Sequence, residues 1–446
     1  MNGLLPGNLK NALKKFRTDK EYSELIRTSF FALLVRMTGI LTGFIVTLTT
    51  TRYFGAEALG IVSICLAILS FSSVFGKLGL DVALMKYVAE FSLSNNYPAI
   101  KAVYLEAIKS IIPVTILIST LLYFLAPWMA DTLFHKPHLT ELLHYNALLA
   151  LPLVLLLVNS ECIRGLKRIS SYTFLQTVSV SLFAAILLLA FIFINQGKEI
   201  PVFIQFISIM LSAILSLVLW IKFSKYNSCK PSKEVSSNTL IRTSSSMFIT
   251  TMMQLIMSWA GTLILASNMN ETDVGVYNAL IRISVATNIT ILAINSLVLP
   301  RFAEAFASKS FDTMKKLAGE STRLIFLTSL PIFILLAVFP HWILSVFGKE
   351  FPGNETALYI LLAGQLIVCF SGLSSQILNM SGHQHVLRNI AIVSAIVNVL
   401  ACFILIPIWG IAGACYAQGA GIICWNLLSN ISVKRYFGFF VFFKFK

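Results

Sequence analysis

Charge is scarce in this sequence. Only 12% of its 446 residues are Asp, Glu, Lys or Arg, against 57% hydrophobic residues and a mean hydropathy of +0.82. That composition excludes a water-soluble globule, which would have to expose too much apolar surface. Acids are scarcer than bases, with nineteen Asp and Glu against 34 Lys and Arg, and every acid falls in a polar segment or near the end of an apolar run. No deep carboxylate is left to hold a cationic cargo. The cysteines, Cys65, Cys162, Cys229, Cys369, Cys402, Cys415 and Cys424, are odd in number and unpatterned, so neither a disulfide framework nor a metal site follows from them. His135 and His138 have the spacing His-x-x-His but no third ligand nearby, while His383 and His385 read as solvated residues of a turn. A glycine-rich nucleotide loop, a zinc-ligand cluster and a nucleophile-base pattern are all missing, which implies no cofactor and no means of hydrolysing ATP. Long loops on the side opposite the termini are missing as well, which argues against a membrane-embedded polymerase or ligase with an external catalytic domain.

What is abundant is apolar sequence in lengths of about twenty residues, enough for a helix to cross roughly 30 Å of hydrocarbon. Such runs are predicted at 30–51, 58–80, 103–126, 140–161, 171–195, 200–222, 242–266, 273–299, 318–340, 355–379, 387–408 and 410–433. The first follows a basic stretch but ends in Thr50-Thr51-Arg52-Tyr53 with no small-residue cleavage site, so it is expected to be retained. Twelve runs place both termini on one side. The segments on that side carry nearly all of the basic residues, whereas the opposite loops hold only Arg52, Lys136, Lys198 and Lys349. The positive-inside rule then puts the termini in the cytoplasm. The net charge of +15 is therefore topological, and nucleic acid is not an expected partner.

The chain also repeats itself. Ile26-Arg27-Thr28-Ser29 recurs as Ile241-Arg242-Thr243-Ser244, and the same offset of 215 pairs Gly60 with Gly275 and Lys86 with Arg301. After a two-residue slip, Phe134-His135-Lys136 meets Phe347-Gly348-Lys349. Two halves of six spans each start from the same side, so the repeat is parallel, and ligands of such proteins sit between the halves. The expected organisation is a cytoplasmic arm at 1–25, an N-lobe at 26–222, a polar linker at 223–240, a C-lobe at 241–433 and a tail at 434–446.

Particular strings accompany the repeat. Thr51-Arg52-Tyr53-Phe54-Gly55-Ala56-Glu57-Ala58-Leu59-Gly60 closes the first hairpin, and Gly79-Leu80-Asp81-Val82-Ala83-Leu84-Met85-Lys86-Tyr87-Val88-Ala89-Glu90 follows the second span. In the other half stand Gly275-Val276-Tyr277-Asn278-Ala279, Leu299-Pro300-Arg301-Phe302-Ala303-Glu304 and Phe347-Gly348-Lys349-Glu350-Phe351. In this order the chain resembles the polysaccharide-export branch of the MOP transporter superfamily, and most closely its Wzx-type O-antigen flippases. The resemblance implies an all-α membrane protein of about twelve transmembrane helices in two parallel six-helix repeats. It also implies movement of an undecaprenyl-diphosphate-linked oligosaccharide from the cytoplasmic to the periplasmic leaflet of a bacterial inner membrane. Membrane lipid, a counter-ion (H+ or Na+) and polymerase or ligase machinery are the further partners it implies. The lipid II flippases of the superfamily usually carry two more helices than are seen here, and its MATE-type drug antiporters often hold a deep carboxylate. A MATE-like small-molecule antiporter is the alternative on this fold.

Ionisable residues inside a span are costly, about 2.5–3.5 kcal/mol on insertion scales, and mark pathways by default. Arg36 in the first span and Arg282 in the eighth are the candidates, opposite Thr251 and Ala67 in the other half. A guanidinium stays charged and can grip a diphosphate through two parallel donors. The competing role is bonding to backbone carbonyls or to a carboxylate on a neighbouring span. Lys86 and Arg301, at the cytoplasmic ends of the second and eighth spans, are candidates for capturing the diphosphate, although topology alone also explains them. Asp81 is a candidate partner for Arg36 or Lys86, and Glu106 for Lys109. Asn295, with Gln254, Asn288, Gln365, Gln376, Asn398 and Gln418, offers hydrogen bonds to sugar hydroxyls or between helices.

Overall fold

The structure, a computed structural model, describes residues 20–191, 197–224, 237–308 and 310–442. Among these residues there are only helices and connecting turns. Eight helices are long and apolar enough to cross a membrane, and two bent pairs supply further crossings. The two longest are Lys20–Lys77, whose apolar part Leu33–Lys77 runs to 45 residues, and Gln384–Phe437, with 54 residues. At 1.5 Å per residue these would be about twice the hydrocarbon thickness. Each is broken once, at Gly55 (φ 88°, ψ 168°) and at Gly410 (φ 53°, ψ −124°), where a positive φ suits a residue without Cβ. Twelve crossings result, as the apolar runs predict.

They are α1 (20–54), α2 (56–77), α3 (Tyr97–Leu133), α4 (Leu139–Leu148 and Ala150–Gly165), α5 (Ile169–Phe191) and α6 (Ile200–Phe223). The second half comprises α7 (Ser237–Asn268), α8 (Glu271–Val285, continuing through a 3₁₀ turn into Ile289–Ala307) and α9 (Phe311–Val338). It ends with α10 (Glu355–Ser371 and Ser374–Met380), α11 (384–409) and α12 (411–437). The expected N-terminal arm lies mostly outside the described residues, as do residues 225–236 of the expected linker. One helix was not foreseen. The second span ends at Lys77, three residues early, where Leu78 and Gly79 take positive φ values of 50° and 73°, and Leu80–Leu93 forms a separate helix.

The lobes cross at α2 and α8, and the crossing point is the repeat-equivalent pair Gly60 and Gly275. A Cβ built on Gly60 would overlap the Glu271 carbonyl oxygen, and one on Gly275 would overlap the Ala56 carbonyl oxygen. Position 271 is position 56 plus the repeat offset, so this contact is the same from either side and lies on the pseudo-twofold axis. Helices in lipid associate through such close approach of small residues.

Further bonds close this face, on which the α1–α2 and α7–α8 turns lie. The Lys136 ammonium, in the α3–α4 turn, is buried and donates to the carbonyl oxygens of Ala266 and Met269 at 2.7 and 2.8 Å. It thereby occupies the carbonyl end of α7, where helix geometry leaves acceptors unpaired and favours a cation. From the other lobe, the Glu350 carboxylate accepts from the Ala56 N–H at 2.7 Å, the start of α2. Arg52 donates to the Ser345 carbonyl at 3.3 Å, and His138 meets Glu271 at 3.0 Å. Lys198 pairs with Glu57 at 2.5 Å. Three of the four basic residues expected on this depleted side therefore tie the fold together.

Burial pushes the Lys136 ammonium below the usual lysine range, and Glu271 and Asp273 partly restore it. If the lobes part here and water reaches Lys136, its proton affinity rises, so closure gains as pH rises into the lysine range and is indifferent to pH well below it. Without Lys136 the Ala266 and Met269 carbonyl oxygens lose their donor, a loss of about 1–3 kcal/mol, so Lys136→Met should raise the open fraction roughly tenfold. A cysteine placed by Val276→Cys, a site 2% exposed beside the crossing, should then label correspondingly faster. Unchanged labelling would show that Lys136 does not hold this face shut.

Candidate functional site

Arg36, Gly43 and Thr47 recur at seven and four residues along α1 and so share one helix face. Arg282 arrives at this face from the other lobe. Its Nη1 donates to Thr47 Oγ1 at 2.6 Å and to the Gly43 carbonyl at 3.3 Å. The Thr47 hydroxyl also donates to that carbonyl, at 2.9 Å. The guanidinium thus stands against neutral oxygens, and no ion pair to it occurs among the described residues.

It borders a cavity of about 260 Å³ enclosed by α1, α2, α5 and α6. Thr47, Thr50, Gln176, Thr177, Ser181 and Gln205 supply its polar lining, and Arg282 is the charged member of the lining. The approach of α5 to α1 depends on Gly39, where any Cβ would press on the Thr177 backbone. At this point α5 widens into a π-turn, Phe174–Val178, a form of helical irregularity often found at functional sites. Gln176 and Thr177 reach the cavity from that turn. Nothing in their sequence spacing signalled this.

Arg36 lies two turns from Gly43, about 10 Å along α1 towards its start at Lys20. It is half-buried and lies within electrostatic reach of Tyr172 of α5. The structure therefore aligns the two candidate arginines along one face of α1 without placing them in one cavity. Lys86 and Arg301 are exposed and line neither this cavity nor those of the C-lobe. Lys86 rides on the separate helix Leu80–Leu93 and not on the end of α2. Asp81 pairs with neither Arg36 nor Lys86 but with Lys77, at 2.6 Å one turn away. Glu106 and Lys109 pair as expected, at 3.1 Å. His383 is not simply solvated, since its Nδ1 lies 3.0 Å from Ser381 Oγ and its ring 4.3 Å from that of Tyr436.

Asn295 belongs to a different cavity, of about 250 Å³, in the C-lobe, lined also by Asn288, Gln365, Gln376 and Trp425. Gln376 and Trp425 are shared with an adjoining cleft of about 300 Å³ that includes Gln254 and reaches Val82 of the N-lobe. The 3₁₀ turn Ala286–Asn288 lies between the two regions of α8. On one side of it α8 sends Arg282 into the N-lobe, and at and beyond it Asn288 and Asn295 face the C-lobe. Asn398 instead ties α11 to α12, its amide donating to the Ala417 carbonyl at 3.0 Å.

Two parallel six-helix repeats that meet on one face and hold cavities within and between them form the two-lobed fold seen in transporters of the MOP superfamily. The family described as "Polysaccharide biosynthesis protein" matches residues 25–306, and the family described as "MatE" matches residues 245–404. The chain belongs to the polysaccharide biosynthesis protein family. An uncharacterized membrane protein of Methanocaldococcus jannaschii is 22% identical over 386 residues, covering 78% of this chain and 72% of its own. The inward-facing conformation of a multidrug resistance MATE family transporter superposes with a TM-score of 0.73 at 15% identity, over 92% of this chain and 98% of that one. The lipid II flippase MurJ in an inward closed conformation superposes with a TM-score of 0.70 at 15% identity, over 92% and 87%.

Proposed function

We propose that the chain is a flippase that carries a polyprenyl-diphosphate-linked oligosaccharide from the cytoplasmic to the periplasmic leaflet of a bacterial inner membrane by alternating access. The observation that carries this reading is Arg282, a charge set inside the membrane span with only neutral oxygens as partners. Its remaining donors suit an anion, and a diphosphate fits the planar guanidinium fork. Family membership supports a glycan as the rest of the cargo. Arg36 serves as a second station for the diphosphate, two helical turns nearer the cytoplasm. Lys86 and Arg301, exposed on the same face as the termini, attract the anionic headgroup before it reaches the cavity. The closed turn face, with the termini placed in the cytoplasm by the positive-inside rule, corresponds to a state that loads from inside. A MATE-like antiporter of cationic drugs would need a carboxylate or an aromatic cage, and no acid lines the described cavities.

The energy source is the membrane potential, with or without exchange of H+ or Na+. Each charge crossing is worth about 2.3 kcal/mol per 100 mV, so a dianion leaving a negative interior gains roughly 4–5 kcal/mol. Proteoliposomes holding the chain and a fluorescent polyprenyl-diphosphate oligosaccharide should flip the lipid, faster when the cargo's starting side is made negative. Absence of flipping would refute the function, and flipping indifferent to potential would refute the energy source.

A further inference from the structure

We infer that the amide-lined C-lobe cavity is a saccharide site, holding uncharged sugar residues with hydroxyl and acetamido groups while Arg282 holds the phosphate. This deepens the proposed function and rests on it for the phosphate half.

The lining argues for the chemistry. Asn288, Asn295, Gln365, Gln376 and Gln254 supply primary amides, and Trp425 supplies a flat apolar ring shared by both parts of the cavity. Each amide offers two donors and an acceptor, the same mixture that sugar hydroxyls and acetamido groups present. With no acid or base in the lining, neither a cation nor an anion finds a counter-charge. Some of this hydrogen-bonding capacity is unused. Asn288 spends its amide group on Gln365 Oε1 at 3.0 Å, but the Oδ1 atoms of Asn288 and Asn295 are buried with no partner among the described residues. Buried polar atoms are normally paired, and two residues that line one cavity each keep an acceptor in reserve, which a rotation of the amide would present to a ligand's donor.

The internal repeat shows that these amides are not common scaffolding. The N-lobe equivalents of Gln254, Asn288 and Asn295 at the 215-residue offset are Gly39, Ser73 and Leu80. All three are spent on packing. Gly39 lies tight against the Thr177 backbone, Ser73 is buried and returns its hydroxyl to the Ser70 carbonyl at 2.8 Å, and Leu80 is fully buried in an apolar cluster. Where one lobe fills the space, the other keeps it open and lines it with amides. The shared helix fixes the order of the two halves of the cargo. Asn288 follows Arg282 by six residues and Asn295 by thirteen, about 9 and 20 Å along α8, so sugars attached to an anchored phosphate extend towards the C-lobe.

The test is equilibrium dialysis on the full chain in nanodiscs, with N,N′-diacetylchitobiose and inorganic pyrophosphate as separate probes. The disaccharide should bind saturably, and Asn295→Leu and Gln376→Leu should each weaken it about tenfold or more, as expected for a lost hydrogen bond that leaves partners unpaired. Arg282→Gln should leave disaccharide binding within about twofold of wild type while removing pyrophosphate binding. Unchanged pyrophosphate binding in the amide variants shows that they fold, and if Asn295→Leu loses both probes, Gln376→Leu decides. No saturable disaccharide binding, or wild-type binding in a folded amide variant, would overturn the saccharide site. Wild-type protein that binds the disaccharide but not pyrophosphate would overturn the phosphate contact and leave the saccharide site standing.

Discussion

Arg282→Ala is expected to abolish surface glycan display in cells that depend on this chain, at normal protein level. The side chain is costly to place within a span, by about 2.5–3.5 kcal/mol on insertion scales, and this chain meets that cost without an ion pair. Its removal should also be harmless to folding. Thr47, which accepts from the guanidinium, keeps its own bond to the Gly43 carbonyl at 2.9 Å, so no polar group is stranded. Loss of function with a folded protein then reads as loss of a cargo contact. Charge-assisted bonds of about 1.5–3 kcal/mol make the loss at least tenfold in transport rate. Arg282→Lys should restore only part of it, because an ammonium lacks the planar two-donor fork. Arg36→Ala should cost less, since Arg36 lies outside the enclosed cavity. Display by blot of surface glycan, normalised to the chain's own level in the membrane, measures all three. Wild-type display in both Arg36→Ala and Arg282→Ala would remove the phosphate site.

The bundle was legible in the sequence because span length, positive charge bias and repeat offset are each one-dimensional signals. The break at Gly55 falls in the gap between the first two expected spans, and that at Gly410 on the first residue of the expected twelfth. The site was legible only in part. Arg282 and Asn295 stand out as polar residues in apolar runs, yet which lobe each faces depends on helix rotation and on the 3₁₀ turn between them. A single cavity between the halves was the expectation. The structure instead has an N-lobe cavity bordered by Arg282 and a C-lobe cavity whose adjoining cleft reaches Val82 of the N-lobe, because α8 passes between the lobes and presents different faces to them. Lys136 reads in the sequence as one of a few external charges, and its burial against the carbonyl end of α7 follows from a contact 130 residues away. Asp81 had Lys77 and Lys86 near it in sequence, and the choice of Lys77 depends on the turn at Leu78 and Gly79, which holds both side chains on the same side.

Alanine at Gly60 or at Gly275 is expected to cripple transport by a different route, by preventing the lobes from closing. The atoms a new Cβ would strike are the carbonyl oxygens of Glu271 and Ala56, and helix backbone cannot swing aside as a long side chain can. Relief requires α2 and α8 to move apart, which carries Lys136 and Glu350 away from the helix ends they cap. Overpacking of this kind costs about 1–3 kcal/mol, and the cost falls on the closed arrangement alone, because parting the helices frees both glycines. The fold should therefore survive, with the equilibrium shifted roughly five- to 150-fold towards opening on the turn face. Cysteine labelling in a Val276→Cys background should accelerate, and lipid flipping should fall by a similar factor. The repeat adds a sharper demand. Gly60 and Gly275 approach each other's amide nitrogens to within 3.1 and 3.0 Å of the added Cβ, so the two substitutions strain one contact from opposite sides. They should match in size, and the double variant should cost less than their sum, since the first substitution already separates the helices. Flipping at the wild-type rate in either single variant would show that this crossing does not close during transport. Clearly unequal effects would show that the two lobes have lost their equivalence even on the axis that relates them.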